Sequence, residues 1–143
     1  MHTRIFGRTK AHRESMLRNL SRSLVLGESI TTTESKAKEV KRTVDRWITW
    51  AKAVARVSGS QRLAGFRHLL TNVHDPLIAR KLVSDIAGRS KNRVSGFVSS
   101  KRIGTRVGDA APQLVLTLID QTPSSLKETT VKSSRKKTIK VEA

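Results

Sequence analysis

The sequence contains no cysteine and no tyrosine, and its aromatic residues are three phenylalanines and two tryptophans. The absence of cysteine excludes disulfide bonds and metal sites built on thiolates. The shortage of aromatic rings argues against an RNA-binding sheet that stacks splayed bases on its surface. If the chain binds a nucleic acid, we therefore expect contacts to phosphates and to the shape of the folded strand.

Acidic residues are scarce as well. The chain has 11 Asp and Glu against 29 Lys and Arg, which gives a formal net charge of +18, and its sequence pI is about 11.6. A chain with this excess repels itself and associates with polyanions, of which nucleic acid is the first expectation and an anionic membrane surface the second. The few carboxylates are scattered, so catalysis by paired carboxylates has no evident place.

Signals of metal binding, phosphate-loop chemistry and membrane insertion are missing. The four histidines, His2, His12, His68 and His74, show none of the spacings typical of metal sites. The sequence has no Gly-Lys-Ser/Thr phosphate loop, no apolar run long enough to span a membrane, and no signal-peptide pattern. We expect a soluble, intracellular protein that is not an enzyme and needs no cofactor, metal or small-molecule substrate.

The first half of the chain has helical periodicity behind a basic opening. Residues 1–10 contain basic side chains and no acid, which predicts a basic N-terminal arm. Leucines at helical spacing predict a helix from Ala11 to Gly27, and residues 29–33 read as a short extended piece or a cap. The strongest helix follows, with Thr33 or Thr31 as its N-cap and Thr31 with Glu34 as a capping box. Its apolar stripe consists of Ala37, Val40, Val44, Trp47, Ile48, Ala51 and Val54.

The second half changes from helix to strand. A third helix carries Leu63, Phe66 and Leu70, and a fourth runs from an Asp75 N-cap and Pro76 to Gly88, with Ile78, Leu82 and Ile86 as its stripe. Arg93–Ile103 is predicted as one extended segment and Gln113–Ile119 as a covered central strand, paired antiparallel across a turn at Gly108-Asp109. From residue 121 the chain is rich in Ser, Thr and Lys, which predicts a polar tail that is disordered when free.

Two stretches carry positive charge with no acid to balance it. They are residues 1–13 and 89–106, and because ordinary surfaces mix charge signs, we interpret them as a binding face. Gly96, Gly104 and Gly108 fit either bulges and turns or a close approach of backbone to phosphate. His12 fits a surface role and a phosphate or base contact about equally. Trp47 is predicted to pack in the core, and Trp50 is left between packing and base stacking.

Several strings together resemble one known family. "HRESMLRNLSRSLV", "ITTTESKAKEV", "ITWAK" and "RVGDAAPQLVLTLID" are similar to the L-seventeen family of bacterial large-subunit ribosomal proteins. The resemblance extends over roughly residues 4–120 and leaves the tail without a matching pattern. It implies an α+β fold, with N-terminal helices packed on a small mixed β-sheet, a basic N-terminal arm and a polar C-terminal tail. The division is residues 1–10 for the arm, 11–120 for a single RNA-binding domain and 121–143 for the tail.

The resemblance and the charge pattern together define the expected RNA-binding residues. Position by position, the resemblance implies Arg4, Arg8, His12, Arg13, Arg18, Asn19, Thr32, Thr33, Lys36 and Lys38. The charge pattern adds Lys10, Arg22, Arg89, Lys91, Arg93, Lys101, Arg102 and Arg106.

These expectations combine into one functional hypothesis. The chain is expected to be a structural constituent of the large subunit of cytoplasmic ribosomes, bound to 23S-type ribosomal RNA and to neighbouring proteins near the polypeptide exit side. Basic side chains would neutralise phosphates there and release counterions. The alternative is an architectural DNA-binding protein, which would need an intercalating wedge or a groove-reading helix that the sequence does not clearly offer.

Overall fold

The fold is known from a computed structural model that describes residues 4–120 of the 143-residue chain. Helices come first and the strands of a small sheet mostly last, so the predicted α+β class is confirmed. In chain order the elements are α1 (Lys10–Gly27), β1 (Ser29–Thr33), α2 (Glu34–Arg56), α3 (Gly59–Val73), α4 (Pro76–Lys81), a π-helical turn (Leu82–Ile86), α5 (Ala87–Arg89), β2 (Val98–Thr105) and β3 (Pro112–Leu118).

Helix α2 is the centre of the hydrophobic core. The stripe predicted from its periodicity is buried as a whole, from Ala37 to Val54, and Trp47 is 3% exposed. Helices α1 and α3, the π-helical turn and β3 all pack against α2. Because side chains three and four residues apart share one face of a helix, a single stripe can bury itself against all of these neighbours.

The sheet has three strands in the order β1-β3-β2, and both pairings are antiparallel. The family resemblance predicted a mixed sheet, and this prediction is wrong because both strand pairings are antiparallel. β2 and β3 form a hairpin, and β1 pairs antiparallel with the other edge of β3. The predicted antiparallel pairing of the last two strands and the central place of the last one are confirmed.

The central strand is covered less completely than its apolar sequence suggested. Leu116 and Leu118 are buried, but the residues between and before them in β3 are only half-buried. The core lies on one face of the sheet only, so alternate β3 residues remain partly open to solvent. The expectation of a strand covered on both faces is thus wrong.

The two predicted helix starts differ in outcome. Asp75 caps α4 as expected: its carboxylate accepts hydrogen bonds from the backbone N–H groups of Leu77 and Ile78. At the start of α2, Thr33 is the N-cap residue but its side chain makes no capping hydrogen bond. The predicted capping box between Thr31 and Glu34 does not form, because Thr31 belongs to β1 and Glu34 accepts a hydrogen bond from Lys38.

Several boundaries also depart from prediction. The first helix begins at Lys10, one residue before the predicted Ala11. The fourth helical region continues through a π-helical turn to Arg89, one residue beyond the predicted end at Gly88. The segment from Arg93 to Phe97 is not part of a strand, since β2 starts only at Val98, and Gly96 has a φ of +69°. An extended ladder cannot pass through that left-handed conformation.

The predicted tail, residues 121–143, lies outside the described residues, and the division into arm, domain and tail remains a prediction. Within residues 4–120, the buried apolar side chains form one core cluster. No helix in this part of the chain combines the length and apolar character that crossing a membrane requires.

Candidate nucleic-acid interface

The N-terminal arm is attached to the helices through one buried carboxylate. Glu39 of α2, whose side chain is 6% exposed, accepts a hydrogen bond from Arg4 at 2.7 Å and has Arg13 and Arg42 at 3.6 Å. Arg13 also donates from Nε to the backbone carbonyl of Arg4 at 2.6 Å. Three arginines therefore converge on one acid, which leaves a surplus of positive charge where the arm meets α1 and α2.

The other basic candidates on the helices divide into residues that form ion pairs and residues that form none. Arg22 is paired with Asp75, and the pKa of Asp75 is lowered from its ordinary value, first because Arg22 donates a hydrogen bond to it. Lys38 pairs with Glu34 at 2.6 Å. In the described part of the chain, no ion pair is formed by Arg8, Lys10, Arg18 and Lys36. No described acid neutralises these four cations, and Arg8 donates from Nη1 to the backbone carbonyl of Phe6 at 3.2 Å.

The uncharged candidates lie nearby. His12 and Asn19 are exposed on α1, on the side of the helix that faces away from the buried Leu17. Thr32 and Thr33 are half-buried in β1, where they pair with Leu114 and Gln113 of β3. Neutral hydrogen-bonding groups of this kind can add to phosphate contacts without adding charge.

The basic string from residue 89 to 106 divides into an inward and an outward part. Arg89 donates to Glu28 and to Asp85 at 2.8 Å, and Arg93 lies 3.5 Å from Asp120, so both guanidinium groups serve the protein's own acids. Lys91 is exposed and has no ion pair among the described residues. Arg89 in particular is half-buried, and its guanidinium group already has two acids as partners.

Lys52 of α2 holds the loop that contains Lys91 and Arg93. Lys52, which is buried, donates from Nζ to the backbone carbonyls of Lys91, at 3.4 Å, and of Arg93. The ammonium group also lies 5.3 Å from the centre of the Phe97 ring, within the range of a cation–π contact. This buried lysine is compensated by carbonyl dipoles and an aromatic ring.

The outward part is the β2–β3 hairpin. From Ser99 to Ala110 every residue is exposed, on both faces of the strand, and the hairpin carries Lys101, Arg102 and Arg106. Arg102, 68% exposed, lies 3.7 Å from Glu34, while Lys101 forms no ion pair with any described residue. The strand thus extends basic side chains beyond the protein's own core.

Gly104 and Gly108 lie in a bulge and a turn, which is one of the two interpretations that their sequence positions allow. The ladder between β2 and β3 shifts register between Arg102 and Gly104, where Gly104 has a φ of +152°. Gly108, with a φ of +104°, forms the turn with Asp109. Arg106 pairs with Asp109 and donates two hydrogen bonds to it, which with a backbone N–H from Ala111 lowers the pKa of Asp109 to about 2.

The structure adds two arginines of α2 to the candidate residues. Arg42, Arg46 and Trp50 follow one another at four-residue spacing and line a cleft of about 400 Å³ between α1 and α2. The spacing is visible in the sequence, but charged residues at helical spacing are equally typical of a solvated helix face. Trp50 is half-buried and makes an edge-on contact with His68, with ring centroids 4.9 Å apart.

The described residues offer charge and shape. Among residues 4–120, no group of three or more His, Cys, Asp or Glu could hold a metal ion. The acids that are present mostly hold arginines and lysines in place. What the arrangement offers is a set of exposed cations on a fixed framework, and the chain is in this respect a small, strongly basic α+β protein.

Comparison with known proteins gives the family. The family model described as Ribosomal protein L17 matches residues 16–119. The large ribosomal subunit protein bL17 of Lactobacillus gasseri is 37% identical over 128 residues, covering 83% of this chain and 100% of the relative. The bL17 proteins of Lactobacillus helveticus and Ligilactobacillus salivarius are each 37% identical over 127 residues, covering 83% and 84% of this chain and all of each relative. The chain belongs to the ribosomal protein L17 family.

Membership of the ribosomal protein L17 family establishes the general function of the chain. Proteins of this family are structural constituents of the large subunit of cytoplasmic bacterial ribosomes and not enzymes, and this chain is one of them. The resemblance stated from the sequence alone is confirmed.

Proposed function

We propose that the chain binds folded large-subunit ribosomal RNA through two surfaces. The first is the β2–β3 hairpin, with Lys101 and Arg102 on β2 and with Arg106, which is paired with Asp109, near its tip. The second is the helical surface formed by the exposed side of α1 and the start of α2, with cations including Lys10, Arg18 and Lys36. Side chains at both surfaces neutralise phosphates, while the core fixes their spacing against one folded RNA surface.

One observation supports this proposal most strongly: within the described residues, β2 beyond Val98 stays exposed on both faces of the strand. After Val98 its residues are exposed through to Thr105, although they remain hydrogen-bonded to β3. β2 is the edge strand of the three-stranded sheet, so the backbone groups on its outer side have no partner within the sheet, and the like charges on its exposed side chains repel one another. An RNA surface that contacts this strand removes both disadvantages, because phosphates balance the charge and the RNA covers the exposed backbone.

The proposal includes a position near the polypeptide exit side, beside other proteins of the large subunit. Membership of the ribosomal protein L17 family supports this part. Chemical cross-linking of assembled large subunits followed by mass spectrometry tests it. Cross-links confined to proteins on the opposite side of the subunit would contradict it.

Salt-dependent binding tests the RNA contact itself. The full chain is titrated with fragments of large-subunit ribosomal RNA, and with duplex DNA of equal length, over a range of KCl concentrations. Since each neutralised phosphate contributes a slope of about 0.7–0.9, a contact with six or more phosphates gives a slope of several units. We expect this steep slope and a clear preference for the ribosomal fragments; a slope near zero, or equal binding of duplex DNA, contradicts the proposal.

A pair of matched variants locates the contact. The double change Lys101→Gln with Arg102→Gln removes two charges from the hairpin, and we expect it to reduce the slope by about 1–2 units. The control, Arg62→Gln with Arg67→Gln, removes two exposed charges from α3, which lies outside both proposed surfaces. Equal losses in the two variants would mean that net charge, and not the hairpin, determines binding.

A further inference from the structure

The cleft between α1 and α2 has the size and lining of a small-ligand site. Its volume is about 400 Å³, within the range of ligand-binding pockets. Arg18 contributes from α1, Arg42 and Arg46 from α2, and Asn72 from α3. The indoles of Trp47 and Trp50 complete the lining, so the cleft combines cations, an amide and flat aromatic surface.

The charge of the cleft is incompletely balanced. Two acids line it, Glu39 and Glu14, and Glu39 already has Arg4 at 2.7 Å and two further arginines at 3.6 Å. Within residues 4–120, neither Arg18 nor Arg46 forms an ion pair, although Arg18 is half-buried. A guanidinium group with several free N–H donors and limited access to water is well suited to bind a phosphate through two parallel hydrogen bonds.

The two indoles of the cleft are packed against other side chains of the fold. Trp47 is fixed in the core, and Trp50 is held from one side by the edge-on contact with His68, at an interplanar angle of 67°. Because Arg42, Arg46 and Trp50 are four residues apart on one helix, the guanidinium groups and the indole lie along the same face of α2. A phosphate bound at the arginines thus places an attached base or sugar towards the indole.

We propose that this cleft binds a single unstacked nucleotide of RNA. Arg18 and Arg46 bind its phosphate, the base lies against Trp50, and the amide of Asn72 is available to the polar edge of the base. The cleft is too small for a duplex, whose phosphates suit the open surfaces described above. The inference rests on the proposed binding of ribosomal RNA and adds to it a site for one nucleotide turned out of the RNA fold.

Intrinsic fluorescence observes this site directly. The chain has two tryptophans and no tyrosine, and both tryptophans line the cleft. The full chain is titrated with hexauridylate, with inorganic phosphate and with hexaglutamate at matched ionic strength. We expect saturable quenching with hexauridylate alone. Equal quenching by phosphate would mean that the cleft binds any small anion. Equal quenching by hexaglutamate would mean that it binds acidic protein segments. Either result overturns the proposal.

Variants separate the cleft from the rest of the molecule. Arg46→Gln changes an exposed side chain, and we expect it to weaken hexauridylate binding about tenfold, whereas Arg67→Gln on α3 changes it less than about twofold. Trp50→Leu is expected to abolish most of the quenching, and its circular dichroism spectrum checks that it folds. Equal affinities of Arg46→Gln and the wild-type chain for hexauridylate would overturn the proposal.

Failure of this inference can be told apart from failure of the proposed function. If ribosomal RNA fragments bind with a steep salt slope while hexauridylate leaves the fluorescence unchanged, the cleft proposal is overturned and RNA binding stands. If the fragments themselves do not bind, the proposed function fails, whatever the cleft does with hexauridylate.

Discussion

Arg89 Nη2 lies 2.8 Å from Oε1 of Glu28 and thereby joins the end of α5 to the residue that follows α1. Glu28 has a left-handed φ of +58° and a side chain only 6% exposed. The same guanidinium donates to Asp85 at 2.8 Å and to the backbone carbonyl of Asp120 at 2.7 Å. One arginine thus connects the end of the first helix, the last helical turn and the end of the described chain.

Removing this guanidinium should destabilise the fold. In Arg89→Gln, the carboxylate of Glu28 stays buried and loses its nearest cation, while Lys81 remains 3.9 Å away. Removing one partner of a buried ion pair typically costs about 3 kcal/mol or more; the remaining lysine and the partial exposure of Arg89 reduce our expectation to about 2 kcal/mol. Urea unfolding followed by circular dichroism measures it. Lys91→Gln is the control, because Lys91 is exposed and should change stability by less than about 0.5 kcal/mol. Equal urea midpoints for the two variants would contradict the structural role of Arg89.

Asp45 gives a pH-dependent prediction. Its Oδ1 accepts a hydrogen bond from the backbone N–H of Phe97 at 3.0 Å. Burial raises the pKa of Asp45 above its ordinary value of 3.8, and the backbone hydrogen bonds from Phe97 and Val98 oppose the rise. Between 3.8 and the higher folded pKa, the folded state binds more protons than the unfolded state, so this carboxyl's contribution to stability falls as pH increases.

Two substitutions of Asp45 should therefore act in opposite ways. Asp45→Asn keeps an oxygen acceptor for the Phe97 N–H and removes the desolvated charge, so we expect stability at pH 7 at least equal to wild type and no titration from this position. Asp45→Ala leaves a buried N–H without a partner, which costs about 1–3 kcal/mol. Thermal unfolding between pH 3 and pH 7 measures both. The prediction is wrong if the asparagine variant is as unstable as the alanine variant.

A pair of helical glycines tests the packing of α3 on α2. A Cβ at Gly65 would lie 2.8 Å from Cγ2 of Val54, whereas at Gly88 it would meet no atom within 4 Å. Gly88→Ala should stabilise the protein by about 0.5–1 kcal/mol, because alanine favours the helix. In Gly65→Ala the same gain is opposed by overpacking, which costs about 1–3 kcal/mol. Differential scanning calorimetry should give a lower melting temperature for Gly65→Ala than for Gly88→Ala; equal increases would exclude a tight contact.

The parts of the fold that sequence reasoning predicted well depend on local information. The stripe of α2 repeats at helical spacing, and an Asp followed by Pro marks the start of α4 within two residues. Both signals act between neighbours in the chain, so no knowledge of the tertiary structure is needed to interpret them.

The interface was harder to predict because charge alone does not show where a side chain points. Arg89 and Lys101 belong to the same basic string, yet Arg89 binds two acids, of which Glu28 is 61 residues away in the chain, and Lys101 forms no ion pair with any described residue. The cleft of Arg46 and Trp50 likewise depends on how α1 packs on α2. Long-range pairing and packing, which composition does not encode, determine both outcomes.

Arg106 and Asp109 at the hairpin tip form an ion pair that limits the charge available to RNA. The hydrogen bonds from Arg106, followed by the backbone N–H of Ala111, lower the pKa of Asp109 from 3.8 to about 2. A lowered folded pKa means that the contribution of this pair is complete above pH 3.8 and is lost as pH falls through about 2. The pair is therefore intact at neutral pH, and Arg106 presents little net charge there.

Asp109→Asn should release Arg106 for a phosphate. The amide oxygen can still accept from the Ala111 N–H, so the turn is kept while the negative charge is removed. We expect tighter binding of ribosomal RNA fragments at low salt and a slope of log affinity against log salt that is steeper by about 0.7–0.9. Asp85→Asn serves as the control, because it removes the same charge next to Arg89, which stays bound to Glu28 inside the fold. If both variants steepen the slope equally, net charge explains the effect, and a contact between the hairpin tip and phosphate is contradicted.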